Sequence, residues 1–198
     1  MIRAVFLDRD GTLIDVVRDE ETGVISTAFH PDQLRILPGV VSGLLALAGA
    51  GYLLAIATNQ PGPAKGHFSA AAVNRTNDAL VAALAAEGIA IAHVAVCMHH
   101  PVGAPSGDQA LIGPCACRKP LPGLLDGLVT EMGVARDGSW MVGDSRGDVE
   151  AGRAANLKTA LLFSSDRCEL CPLRGGPACA PDVCGATFAD VTRAILAA

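Results

Sequence analysis

Short apolar runs alternate with longer stretches of amphipathic spacing along the chain, the pattern of buried strands that each feed a helix. The first run, Arg3-Ala4-Val5-Phe6-Leu7, predicts a strand that breaks at Asp8-Arg9-Asp10-Gly11. A mixed stretch at 13–27, carrying Arg18, Asp19, Glu20, Glu21 and Gly23, suits a solvent-exposed hairpin or flap, a common gate over a sheet edge, with an ordinary surface loop as the alternative. Pro38-Gly39 opens a predicted helix over 40–49, and Gly49-Ala50-Gly51 separates it from a strand over 52–57. Ser69 caps a predicted helix that runs to Glu87, with Ala72, Val73, Leu80, Val81 and Leu84 at helical spacing and Gly88 after its end. A strand over 89–97, a helix over 121–132, a strand over 139–142, a helix over 149–155, a strand over 159–163 and a helix over 189–197 complete the series. Strands and helices in alternation imply an α/β protein with a central parallel sheet.

With 198 residues the chain suits one well-buried core, so residues 1–198 are read as a single domain. Half the residues are hydrophobic but only 4% are aromatic, so the helices must pack on the sheet largely through Ala, Val and Leu. Net charge is -5 and no Lys/Arg cluster is present, which argues against a nucleic-acid partner and towards a small one. No charged side chain occurs between Arg35 and Lys65, a span long enough for a membrane helix. The breaks at Pro38-Gly39 and Gly49-Ala50-Gly51 divide it into a buried helix and a buried strand instead, so no membrane partner is expected. The N-terminus opens on strand-like sequence and shows no signal peptide, so the expectation is a cytoplasmic monomer. Seven cysteines in such a chain point to metal or redox chemistry before disulfides.

Candidate chemistry gathers at predicted strand ends. In an extended backbone Asp8 and Asp10 project to the same side, and two like charges so close call for a hard divalent cation such as Mg2+. An Asx-rich turn without chemistry is the plain alternative. Thr58-Asn59-Gln60 ends the second long strand, where the Thr58 hydroxyl and nearby N–H groups can meet an anion or merely cap a helix. Asp144 ends the strand over 139–142 and Asp148 follows one helical turn later, placed to complete a magnesium site and to hydrogen-bond behind it. Cys97 and His99, then Cys115 and Cys117, form two short pairs joined by a Gly/Pro-rich loop at 97–117 that can close tetrahedrally on Zn2+, with His100 the competing imidazole. A metal there would hold Arg118 and Lys119 in place to meet phosphate oxygens. Cys168, Cys171, Cys179 and Cys184 satisfy the arithmetic of a second zinc site in an insertion at 168–184, with an iron–sulfur site or disulfides as alternatives.

These motifs, in this order, resemble the haloacid dehalogenase-like superfamily of phosphotransferases. The runs F-L-D-R-D-G-T-L-I, T-N-Q, C-x-H, C-x-C, C-R-K-P-x-P-G and G-D-S-x-x-D are similar to its D-glycero-D-manno-heptose-1,7-bisphosphate 7-phosphatase branch. The resemblance implies a Rossmann-like three-layer fold with no large cap domain. It also implies an aspartyl-phosphate mechanism with Asp8 as nucleophile and Asp10 as general acid and base. Magnesium would be held by the Asp8 carboxylate, the Asp10 main-chain carbonyl and Asp144. Thr58 and Lys119 would bind the transferring phosphoryl group, Asn59 would line the pocket and Arg118 would recognise the sugar phosphate. Cys97, His99, Cys115 and Cys117 would hold a structural zinc. The chain departs from the branch at Pro61 and Lys65, where the branch has T-N-Q-S-G and A-R-G, and in the flap, where Val16-Val17-Arg18-Asp19 replaces D-x-G-Y. Histidinol-phosphate phosphatases share the zinc loop and are the neighbouring alternative. A non-catalytic zinc-binding interaction module is the alternative of another class, set against the intact pair Asp8 and Asp10.

Overall fold

A computed structural model describes residues 2–18, 21, 23–163 and 180–198. In chain order the elements are β1 (Arg3–Leu7), β2 (Val17–Arg18), β3 (Ile25–Ser26), α1 (Val40–Gly49), β4 (Tyr52–Asn59), α2 (Ala70–Ala86) and β5 (Ile91–Cys97). Then come α3 (Gly123–Met132), β6 (Trp140–Gly143), α4 (Arg146–Ala154), β7 (Lys158–Leu162), β8 (Val183–Gly185) and α5 (Phe188–Ala197). Six strands form one parallel sheet in the order β5-β4-β1-β6-β7-β8, with β1 near the centre.

Alternation along β1 divides the core. Val5 and Leu7 join Leu44, Leu80, Phe188 and Ile195 of α1, α2 and α5, whereas Ala4 and Phe6 join Leu125, Leu128 and Ala151 of α3 and α4. Two helical layers thus cover the two faces of the sheet, as expected for strands apolar on both sides. Close approach of α1 and α5 depends on Gly43, where an added Cβ would come 2.6 Å from the Phe188 ring.

One helix boundary departs from the sequence reading because side-chain hydrogen bonds set it. The fourth helix opens at Arg146, not 149, because Ser145 caps it and Asp148 at the third position returns a bond to the Ser145 N–H. β8 was not expected at all. It is three residues long and includes Cys184, inside a stretch read from its cysteines as a metal-binding insertion. The expected flap is present as the antiparallel pair β2 and β3. Among the described residues no helix is long and apolar enough to cross a membrane.

Candidate active site

The carboxyl ends of β1, β4, β5 and β6 lie along one edge of the sheet, where open α/β sheets bind ligands. Asp8 follows β1 and its N–H donates to the Val142 carbonyl of β6 at 2.9 Å, which brings it beside Asp144. Asp148, on the first turn of α4, reaches the same point from behind. Oxygens of Asp8, Asp144 and Asp148 approach within 4.8 Å of one another.

Lys119 is the cation among them. Its Nζ lies 2.9 Å from Asp8 Oδ1 and 2.5 Å from Asp148 Oδ1, and donates to the Ala57 carbonyl at 2.7 Å. Burial disfavours the ammonium, but Asp148 and Asp8 outweigh it and hold Lys119 protonated well above the usual lysine range. For Asp148 burial raises proton affinity, opposed by Lys119 and by the Ser145 hydroxyl. Three carboxylates against one ammonium leave two negative charges in a largely buried place. Burial, with Asp8 and Asp148 alongside, accordingly pushes Asp144 up to about 7. Oxygen donors carrying that excess charge fit a hard divalent cation. Gly11 is what lets Asp144 come so close: its φ is +76°, and a Cβ there would lie 2.0 Å from Asp144 Oδ2.

Asp10 is not in this carboxylate group, although strand alternation placed it with Asp8. Regular strand geometry stops at Leu7, so the period of two does not carry past Asp8. The Asp10 carboxylate instead accepts from Arg9 Nε at 3.1 Å and from Gln60 Nε2 at 2.6 Å. Arg9 and Gln60 are fully buried and were not singled out from sequence. Arg9 turns towards α2, where its Nη1 donates to Asn77 Oδ1 at 2.7 Å. Its Nη2 donates to Thr27 Oγ1 at 2.6 Å and the Ala28 carbonyl at 2.8 Å, both just after β3. A charged residue between two acids reads as solvent-facing in sequence, and only the position of Asn77 on the buried side of α2 hinted otherwise.

Thr58 and Asn59 close β4. The Thr58 hydroxyl, nearly inaccessible, accepts from Gln60 Nε2 at 2.9 Å. Asn59 takes the Lys119 N–H on Oδ1 at 3.1 Å and returns Nδ2 to the Lys119 carbonyl at 3.0 Å, which fixes the backbone beneath the ammonium. Register pairs Asn59 with Cys97 of β5, so the cysteine loop begins beside that anchor. Cys97, His99, Cys115 and Cys117 offer ligand atoms within 4.8 Å of one another. Cys97 and Cys115 sulfurs are 3.8 Å apart, and His99 Nδ1 is 3.6 Å from Cys117 Sγ and 3.9 Å from Cys97 Sγ. A tetrahedron with zinc–sulfur bonds of about 2.3 Å has edges of about 3.8 Å; these separations match it, whereas the Cys97 and Cys117 sulfurs, 3.0 Å apart, would have to spread to admit the ion. Burial and the neighbouring Cys117 thiol push the Cys97 thiol up, which a bound cation would reverse. His100 instead turns to Val102. Arg118 faces this loop, with Nη1 3.3 Å from the His99 carbonyl. Cys184 is exposed on β8, while Cys168, Cys171 and Cys179 lie outside the described residues.

The parallel sheet and the acids at its edge define the class, that of haloacid dehalogenase-like hydrolases, and residues 116–190 match the family model described as "HAD-hyrolase-like". Over 167 residues the chain is 34% identical to the D-glycero-beta-D-manno-heptose-1,7-bisphosphate 7-phosphatase of Pasteurella multocida, covering 84% of each. It is 31% identical over 196 residues to the enzyme of that name from Yersinia pestis, covering 99% of this chain and 96% of the relative. The crystal structure of D,D-heptose 1.7-bisphosphate phosphatase from B. bronchiseptica, complexed with magnesium and phosphate, superposes with a TM-score of 0.78 at 28% identity, covering 99% of both chains. The chain belongs to the family of D-glycero-beta-D-manno-heptose-1,7-bisphosphate 7-phosphatases, phosphoric monoester hydrolases of the haloacid dehalogenase-like superfamily.

Proposed function

We propose that this chain is a single-domain, cytoplasmic phosphatase that hydrolyses D-glycero-beta-D-manno-heptose 1,7-bisphosphate through a phosphorylated Asp8. The observation that carries the reading is the isolation of Asp8 from Asp10. Asp8 shares its surroundings with Lys119, Asp144 and Asp148, whereas Asp10, two residues on, is held by Arg9 and Gln60. One carboxylate is thereby set beside a fixed cation for attack while the other is placed to move a proton.

Asp8 Oδ forms a bond to phosphorus as the ester P–O bond breaks, and Asp10 gives its proton to the departing sugar oxygen. Asp10 then takes a proton from water, whose oxygen attacks phosphorus and releases inorganic phosphate and free Asp8. Lys119 has all three donors engaged, so it acts as a fixed charge that orients Asp8 and offsets the incoming phosphate. Because Thr58 Oγ1 already accepts from Gln60, its own O–H proton remains for a phosphoryl oxygen. Asp8, Asp144 and the Asp10 carbonyl would hold Mg2+, which offsets repulsion between carboxylate and phosphate when bound. Cys97, His99, Cys115 and Cys117 would hold Zn2+ as a structural ion, a use of thiolates suited to a reducing compartment. A hollow of about 290 Å³ beside them, lined by Pro101, Pro114, Arg118 and Leu121 among others, offers room for the sugar and a guanidinium for its second phosphate.

Phosphate release measured with magnesium over heptose, hexose and histidinol phosphates tests the reading. Turnover led by the heptose bisphosphate and abolished by Asp8→Asn supports it. Preference for histidinol phosphate transfers the chain to the neighbouring activity, and unchanged turnover by Asp8→Asn refutes the covalent mechanism.

A further inference from the structure

Asp10 is tied to the flap by a closed ring of hydrogen bonds. Arg9 Nη2 donates to Thr27 Oγ1 at 2.6 Å, Thr27 donates to Gln60 Oε1 at 3.1 Å, and Gln60 Nε2 donates to Asp10 Oδ2 at 2.6 Å. Arg9 Nε closes the ring on the same Asp10 oxygen at 3.1 Å. A glutamine amide is nearly symmetric in shape, so packing alone does not decide which end faces a carboxylate. Thr27 decides it. With its oxygen accepting from Arg9, its single proton needs an acceptor, which turns Gln60 Oε1 towards the flap and Nε2 towards Asp10 and Thr58.

The two oxygens of Asp10 differ as a result. Oδ2 takes the short bond from Gln60 and those from Arg9, whereas Oδ1 has only Arg9 Nη2 at 3.2 Å and the Ala28 N–H at 3.4 Å. Oδ1, with two longer bonds, is the more weakly held of the two oxygens. We propose that Thr27 is a positioning residue for Asp10: through the Gln60 amide it anchors Oδ2 and leaves the more weakly held Oδ1 to exchange the proton. The inference rests on the reading of Asp10 as proton donor and acceptor.

The test uses the full chain with magnesium and compares Thr27→Val, which removes the hydroxyl at nearly constant shape, with Thr27→Ser, which keeps it. Alcohol release in a single turnover with enzyme in excess isolates the first chemical step. It is followed for the sugar phosphate that the wild type hydrolyses fastest and for para-nitrophenyl phosphate, whose phenolate leaves without protonation. Thr27→Val is expected to slow the sugar ester about tenfold or more, as misplacing a general acid does, with little change in its KM. It leaves nitrophenolate release unchanged, and Thr27→Ser stays close to wild type on both substrates. Thr27→Ala carries the same prediction should valine unfold the chain. Equal slowing of both substrates, no slowing of the sugar ester, or loss with serine as large as with valine overturns the proposal. Asp10→Asn separates this failure from that of the underlying reading: if Asp10→Asn retains the sugar-ester rate both fall, and if it abolishes that rate while Thr27→Val does not, only the Thr27 proposal falls.

Discussion

Replacing Lys119 by Met removes the one ammonium from the carboxylate group while keeping most of its hydrocarbon volume. Lys119 and Asp148 side chains are 3% and 1% exposed, so the ion pair at 2.5 Å is shielded from water, whereas Asp8 at 15% retains some hydration. Asp148 keeps the Ser145 N–H and hydroxyl after the change, but its Oδ1 loses its counter-charge. Breaking such a pair from one side costs about 3–5 kcal/mol, a large part of the roughly 5–15 kcal/mol that holds a domain folded. Urea unfolding without divalent cations, followed through the single, buried Trp140, measures the loss directly. Adding Asp148→Asn removes the stranded charge, so the double variant should recover about 1–3 kcal/mol relative to the sum of the single changes. A Lys119→Met variant within about 1 kcal/mol of wild type, or strictly additive single changes, would refute the argument that Lys119 neutralises buried acids.

Gly11→Ala drives a Cβ into Asp144 Oδ2 from a left-handed backbone, so activity should fall steeply and the magnesium concentration for half-maximal rate should rise; an unchanged magnesium titration would contradict this. In protein stripped of divalent cations, the folded Asp144 carboxyl titrates near 7 against an ordinary 3.8, so the folded state binds the extra proton between those values. Its contribution to unfolding free energy therefore falls as pH rises from about 4 to about 7, by up to roughly 4 kcal/mol, and both magnesium and Asp144→Asn should flatten that slope in pH-dependent unfolding. Elemental analysis should find zinc bound in wild type, and Cys97→Ser or Cys117→Ser should lower it by about one equivalent and lower kcat, because the loop positions the backbone beneath Lys119, which orients Asp8.

Asp8, Asp144 and the C-x-H and C-x-C pairs were legible because their positions follow from strand ends and ligand spacing, which are local. The strand itself was legible as an apolar run, but its division between two core layers, Ala4 and Phe6 against Val5 and Leu7, shows only in the fold. Arg9 was not legible. Its partners Thr27, Ala28 and Asn77 lie far along the sequence, and nothing local separates a buried guanidinium from a solvated one. Gln60 was hidden likewise, since three of its bonds run to β4, the flap and Asp10. Asp148 was read as hydrogen-bonding behind the site, yet its pairing with Lys119 needs the approach of α4 to the segment before α3, a contact no spacing rule supplies. β8 escaped because three residues have too little pattern to declare a strand, and its pairing with β7 is what makes it one.

The claim on which the account stands is that Asp8 carries the phosphoryl group during turnover. Acid quenching during steady-state hydrolysis, reduction with borohydride and peptide mapping test it, because an aspartyl phosphate is reduced to homoserine whereas a free carboxylate is not. Homoserine is expected at position 8, dependent on substrate and absent when Asp8 is replaced by Asn. Full turnover with no homoserine at that position, or homoserine formed at another acid, would contradict it.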